Sequence, residues 1–369
     1  MGLTALRCLT VGALCAAAGA QVQSGRIDAA FSPFKSGKAP GAAVLVVHDG
    51  EVAFSQGYGV ADMRTHAAIT AETNFRLASC TKQFTAMAIM LLVHDGKLRY
   101  ATRLTDVFPE FPAYGKAITV RHLLNHTSGL KDYEDLYSAQ YPHVRDEKIP
   151  QIHDAGVLKL MESQTATDFP PGSRWRYSNS GYVLLGMIVE KVSGEPFGRF
   201  LAERIFKPLG MKQTVLYEKG VNDVAQRAYG HTCEKGSCRE TDQSSTSATL
   251  GDGGIYSSIA DLARWDAALS SYKLLPEKEM RDAWTPATAP ASTNEVMQSG
   301  QTGVKYGFGW FLDPYRGHKR MWHYGETRGF RTTIQRFPDD KLTVIVLANR
   351  SDMDAAGMAL AVANLYLGQ

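Results

Sequence analysis

The residues able to do nucleophilic chemistry in this chain are serines placed close to lysines. A serine hydroxyl needs a base within hydrogen-bond reach before it attacks a carbonyl. Ser and Lys at i and i+3 of a helix share one face, so Ser-x-x-Lys delivers both groups from a single turn. The chain holds four such pairs: Ser32–Lys35, Ser79–Lys82, Ser128–Lys131 and Ser270–Lys273. Ser32 is followed by Pro33 and Ser128 by Gly129, which interrupt a helix, and Ser270 closes a helical stretch. Only Ser79 opens a long apolar run, Gln83 to Val93 (QFTAMAIMLLV), which stops at Asp95-Gly96. The run is apolar on most faces and predicts a buried helix. Its start would place Ser79 near free backbone N–H groups and the positive end of the dipole. Burial would also lower the pKa of Lys82 and make its neutral amine available as a base.

Two further elements follow along the chain. Tyr177-Ser178-Asn179 is its only Tyr-x-Asn. A phenol beside a lysine shares its proton and serves as general base or acid, and the Asn179 amide can hold a lysine and a substrate carbonyl together. His323-Tyr324-Gly325 is one of three His-x-Gly sequences, and the other two, at His48 and His94, lie in Asp-Gly turns. His323 precedes strand-like sequence, and Gly325 is expected to let a substrate approach the backbone. Taken singly, these residues read more readily as a capping serine, a loop tyrosine and a structural histidine. Their order and context carry the assignment.

The elements that must position them are legible at both ends. Ala42 to His48 (AAVLVVH), the Asp49-Gly50 turn and the alternating Glu51 to Tyr58 predict a β-hairpin. Arg331 to Phe337 and Leu342 to Leu347 predict a second one, and Met353 to Leu367 a closing apolar helix. Between them lie helix candidates at Val120–Asn125, Ala155–Glu162, Tyr182–Val192 and Phe197–Ile205. This predicts an α/β (α+β) fold: a sheet domain from residues 21–100 and 251–369, with 101–250 inserted as a mainly helical domain.

Composition adds limits. The chain has 369 residues, enough for one large or two interleaved domains. Lys plus Arg (40) nearly balance Asp plus Glu (37), so nothing points to nucleic acid or an anionic membrane as partner. In residues 1–20 Arg7 is the only charge, and the apolar Cys8 to Ala20 ends in Ala18-Gly19-Ala20. This reads as a cleaved secretory signal peptide, which leaves no stable membrane span and a periplasmic or secreted protein. Removing it reduces five cysteines to Cys80, Cys233 and Cys238. In an oxidising compartment the last two would close a small surface disulfide, and two free thiols fit the spacing equally well. No second Cys/His pair has zinc-ligand spacing.

Ser-x-x-Lys, Tyr-x-Asn and His-x-Gly, in this order, resemble the serine β-lactamase, D-alanyl-D-alanine carboxypeptidase and esterase superfamily, which includes penicillin-binding proteins. The class C β-lactamase-like branch is the most similar, because there Tyr-x-Asn stands for Ser-Asp-Asn. Leu123 to Leu130 (LLNHTSGL), Gly253 to Trp265 (GGIYSSIADLARW) and the two hairpins extend the resemblance over nearly all of the mature chain. It implies a β-lactamase/transpeptidase-like antiparallel sheet flanked by helices, a small-molecule or peptide substrate and no cofactor. It also implies that Ser79 forms an acyl-enzyme while Lys82 and Tyr177 handle protons and Asn179 positions Lys82 and substrate. His323 would face Tyr177, and the backbone N–H groups of Ser79 and Glu326 would form the oxyanion hole.

One departure from the superfamily pattern bears on substrate. Lys-Thr-Gly has become His323-Tyr324-Gly325, so the cation and hydroxyl that hold a β-lactam carboxylate are missing. Glu326 would repel an anion or attract an amine, and Arg328 could restore a cation. Esters, amides and D-amino-acid peptides are therefore expected ahead of β-lactams, with a class C-type β-lactamase or DD-carboxypeptidase as the alternative. A catalytically silent penicillin-binding-like sensor is the rival from another class, and the presence of Ser79, Lys82 and Tyr177 together speaks against it. An α/β-hydrolase is excluded because no serine sits in Gly-x-Ser-x-Gly, and a metallohydrolase because His-Glu-x-x-His is absent.

Overall fold

The computed structural model describes residues 22–290 and 304–368. The expected leader, residues 1–20, lies outside them. Seven antiparallel strands form the main sheet: β1 (Ala42–His48), β2 (Glu51–Tyr58), β3 (Lys305–Tyr306), β4 (Phe311–Leu312), β5 (Met321–Glu326), β6 (Arg331–Phe337) and β7 (Leu342–Ala348). Their order is β3-β4-β5-β6-β7-β1-β2, so β1 from the start of the chain lies beside β7 from its end, Ala42 opposite Ala348. Asp49 and Gly50 both take positive φ in the first hairpin, the twist that a two-residue turn between strands needs.

β1 and β7 are apolar without alternation because both faces of the sheet are covered. Ala42, Val44 and Val46 pack with Ile27, Phe31 and the helix Ala355–Ala363 on one side. Ala43, Leu45 and Val47 join the larger core on the other, with Leu262 and Trp265 of the helix Ile259–Ser270. That second core continues without a break into the helical middle of the chain. The closing helix is shorter than the apolar run suggested, because Asp354 caps its start by accepting the Gly357 N–H, and turns follow Ala363. No helix of the described residues is long and apolar enough to cross a membrane. Of the two cysteine readings the disulfide holds: Cys233 and Cys238 are bonded across the hairpin His231–Glu234/Ser237–Glu240.

The turn carrying Ser79 departs from the expected geometry. Ser79 lies in a 3₁₀ turn, Ala78–Thr81, and the α-helix α1 (Lys82–His94) begins only at the lysine. The cause is upstream: the Leu77 N–H donates to the Ile255 carbonyl, and Ala78 turns the chain sharply at φ 48°. Positive φ at a residue with a Cβ is strained and persists only where the surroundings enforce it. Gly325 is part of that enforcement. A Cβ there would sit 2.0 Å from the Leu77 carbonyl oxygen and 3.1 Å from the Ala78 Cβ. The glycine therefore admits the turn carrying Ser79 against β5. Gly325→Ala should cost about 1–3 kcal/mol in urea unfolding, the range for overpacking a filled site. It should also slow the reaction of Ser79 with acylating probes.

Candidate active site

Lys82 stands at the centre of the site, fully buried. Its Nζ donates to Ser79 Oγ at 3.0 Å, to Asn179 Oδ1 at 2.9 Å and to the Asp252 carbonyl at 2.9 Å. The three acceptors match the three protons of an ammonium. Burial nevertheless pulls the Lys82 pKa down to about 8, against the carboxylates of Asp252, Glu134 and Asp132, which favour the charged form. The amine therefore loses its proton around pH 8, and its lone pair then faces the Ser79 hydroxyl.

Asn179 reaches Lys82 because the helix α2 (Asn179–Ser193) starts at this residue, three earlier than the apolar pattern indicated. Its backbone N–H donates to Asp132 Oδ2 at 2.6 Å, which anchors that first turn. Tyr177 precedes it in a loop held from both sides by His126. The Arg176 N–H donates to the His126 carbonyl at 2.9 Å, and the Ser178 N–H to His126 Nδ1 at 3.2 Å. His126 is buried and burial holds its pKa well below the ordinary value, so the ring stays neutral and keeps Nδ1 as an acceptor. The Tyr177 phenol is hydrogen-bonded to Ser79, and burial holds its pKa well above the usual range. Of the two candidate bases, Lys82 is the one that is free of its proton at moderate pH.

His323 lies on β5 itself and is fully buried. Its Nδ1 lies 2.7 Å from the Tyr324 carbonyl, so this nitrogen carries the proton, and Nε2 accepts from the Tyr306 hydroxyl at 2.9 Å. Its ring centre is 6.1 Å from that of Tyr177. Burial pulls its pKa down to about 3, so the ring is neutral and backs Tyr177 without supplying a cation. The two charges expected nearby are also engaged. Glu326 pairs with Arg331 at 2.8 Å, and Arg328 pairs with Asp146 and Glu147, each at 2.9 Å.

Ser79, Tyr177 and Asn179 line a cleft of about 680 Å³ together with Tyr324, Glu326, Arg328, Glu134, Asp135 and Asp252. Arg76 also borders it but is only 2% exposed, its Nη2 bonded to the Ser247 carbonyl. Lys82 and His323 stand behind this wall. Sequence reasoning missed His126, Asp252 and Tyr133, whose hydroxyl donates to Asp252 Oδ2 at 3.0 Å. LLNHTSGL contains His126 and GGIYSSIADLARW begins just after Asp252, yet neither stretch reveals that His126 holds a loop or that Asp252 offers its backbone carbonyl.

A family model described as Beta-lactamase matches residues 24–367. Penicillin-binding protein 4* of Bacillus subtilis (strain 168) is 33% identical over 322 residues, 84% of this chain and 68% of that protein. A D-aminopeptidase of Brucella anthropi is 28% identical over 337 residues, 90% of this chain and 60% of that protein. The chain thus spans about three fifths of the D-aminopeptidase's length. Among solved structures, the octameric penicillin-binding protein homologue from Pyrococcus abyssi superposes with a TM-score of 0.80 at 27% identity, covering 94% of this chain and 77% of that one.

A buried lysine with a lowered pKa destabilises the fold below that pKa. Between pH 8 and the ordinary lysine pKa of 10.5 the unfolded chain binds the extra proton, so stability rises with pH across this window. Lys82→Met removes the effect. The unfolding free energy of the variant relative to wild type should therefore fall by about 2–3 kcal/mol between pH 7 and pH 10, measured by urea titration at each pH.

Proposed function

The chain belongs to the beta-lactamase family of serine hydrolases, and within it we propose an exported enzyme that cleaves esters and amides, the amides and peptides of D-amino acids foremost. The observation that carries this reading is the Lys82 amine, buried, with a pKa near 8 and 3.0 Å from Ser79 Oγ. Neutral Lys82 takes the Ser79 proton as Oγ attacks the carbonyl carbon. The backbone N–H groups of Ser79 and Glu326 hold the developing oxyanion, an interaction typically worth about 3 kcal/mol. The proton passes through Tyr177 to the leaving oxygen or nitrogen, the acyl–heteroatom bond breaks, and the acyl group stays on Ser79. Water then attacks the acyl carbonyl, giving a proton to the same pair, and as the acyl–Oγ bond breaks the pair returns a proton to Ser79 Oγ and the carboxylic acid leaves.

The substrate side of the proposal rests on charge. The His323 ring is neutral and Arg328 is tied to two carboxylates, while Asp135 and Asp252 line the cleft; burial pushes the Glu134 carboxyl beside them up to about 8. A neutral or aminated substrate suits this lining better than a β-lactam carboxylate. The likeness to D-aminopeptidase points the same way. Export is supported by the apolar Cys8 to Ala20 run and by the Cys233–Cys238 disulfide, which persists in an oxidising compartment. The division into a sheet unit (21–100 and 251–369) and an inserted unit (101–250) belongs to the same proposal, supported by the sharing of one sheet between the two ends of the chain.

A fluorophosphonate probe should label wild type and leave Ser79→Ala unlabelled; absence of labelling in wild type would establish the silent-sensor reading instead. Turnover of p-nitrophenyl acetate and D-alaninamide should exceed that of nitrocefin, and the reverse order sinks the substrate assignment. Because the free amine is the reactive form, kcat/KM for the ester should climb as pH rises and level off above about 8.

A further inference from the structure

Tyr324 occupies the middle place of His323-Tyr324-Gly325, and three observations fix where its ring lies. Among the described residues β4 pairs with β5 only at Trp322 and Met321, so no described strand lies beside 323–326 on that edge, and Tyr324 and Glu326 border the cleft. The Tyr324 ring is 5.9 Å from Phe311 at 13° and 5.9 Å from Trp322 at 26°. Phe311 in turn lies 6.0 Å from Tyr177 at 17°, so Tyr324, Phe311 and Tyr177 are three nearly parallel rings. Tyr324 is half-buried, which leaves part of its ring to the cleft, and its packing neighbours prevent it from swinging away.

Chemistry then assigns the space next to it. The carbonyl oxygen must sit at the Ser79 and Glu326 N–H groups, and the departing atom must lie where Tyr177 can protonate it. The leaving group therefore occupies the side of the cleft flanked by Tyr177 and Tyr324. Resting on the Ser79 acyl-transfer reading, we propose that Tyr324 determines leaving-group specificity, its fixed ring receiving a planar aromatic group on the departing alcohol or amine. In the acylation step the Ser79 Oγ–acyl bond forms, the acyl–oxygen bond breaks, and the aryl-bearing alcohol departs with the proton delivered through Tyr177. Edge-on or offset stacking on a held ring is worth about a factor of ten in affinity.

The test compares 2-phenylethyl acetate with ethyl acetate, which give the same acetyl-enzyme and differ in the leaving alcohol. The wild-type kcat/KM ratio should favour the phenylethyl ester. Tyr324→Thr should reduce that ratio about tenfold and Tyr324→Phe should keep it. Where turnover is slow, the rate of Ser79 acetylation by each ester, followed by mass spectrometry, supplies the same ratio. A ratio unmoved in Tyr324→Thr, or an equal fall for both esters, overturns the proposal while leaving the acyl-transfer reading intact. Failure of wild type to become acetylated by either ester or labelled by the fluorophosphonate overturns both.

Discussion

An amine held out of water is the constraint on which the site depends. Lys82 needs three acceptors, and they come from three separate parts of the chain: Ser79 one turn away, the first residue of α2, and the backbone at Asp252. Were one missing, the ammonium would lack a partner in a place where an unmet donor costs about 1–3 kcal/mol. Were all three strengthened by a full carboxylate contact, the pKa would rise and the base would be lost. Neutral acceptors at hydrogen-bond distance, with Asp252, Glu134 and Asp132 further off, keep the amine between those limits. The same balance makes Lys82 a poor contributor to stability and a good acceptor for a serine proton.

Around that amine the aromatic residues act as a rigid frame. His126 grips the backbone on both sides of Tyr177, His323 is fixed through Tyr306, and Phe311 stacks on Tyr177. Both histidines are kept neutral by burial, so the frame adds no charge that would compete with Lys82 for its proton. A cation at position 323 would lower the lysine pKa further and offer an anchor for anionic substrates; a neutral ring does neither.

Much of this was legible in the residues. The hairpins were readable because β1 and β7 are apolar apart from His48 and Thr343 and the Asp49-Gly50 turn admits positive φ. Ser79, Lys82, Tyr177 and Asn179 were readable as a set because helix spacing and motif order bring them together, and the structure places them within bonding reach. The start of α1 was not readable, since Ala78 carries no sign that Leu77 and Gly325 force its positive φ. Nor were the partners of Arg328, because Asp146 and Glu147 lie some 180 residues earlier and meet it only in the folded chain. The Asp252 contribution is a backbone carbonyl, which residue type does not encode.

The pairing of β1 with β7 also has a temporal meaning. The partner of Ala42 is Ala348, so the middle of the sheet cannot form until nearly all of the polypeptide has been synthesised. The strand that backs the nucleophile turn, β5, is likewise made late, and without Gly325 beneath it the Leu77–Ala78 bend has no floor. Long-range topology of this kind folds slowly. An incompletely synthesised chain therefore carries Ser79 and Lys82 without the geometry that brings them together, and that geometry arrives with the last strands.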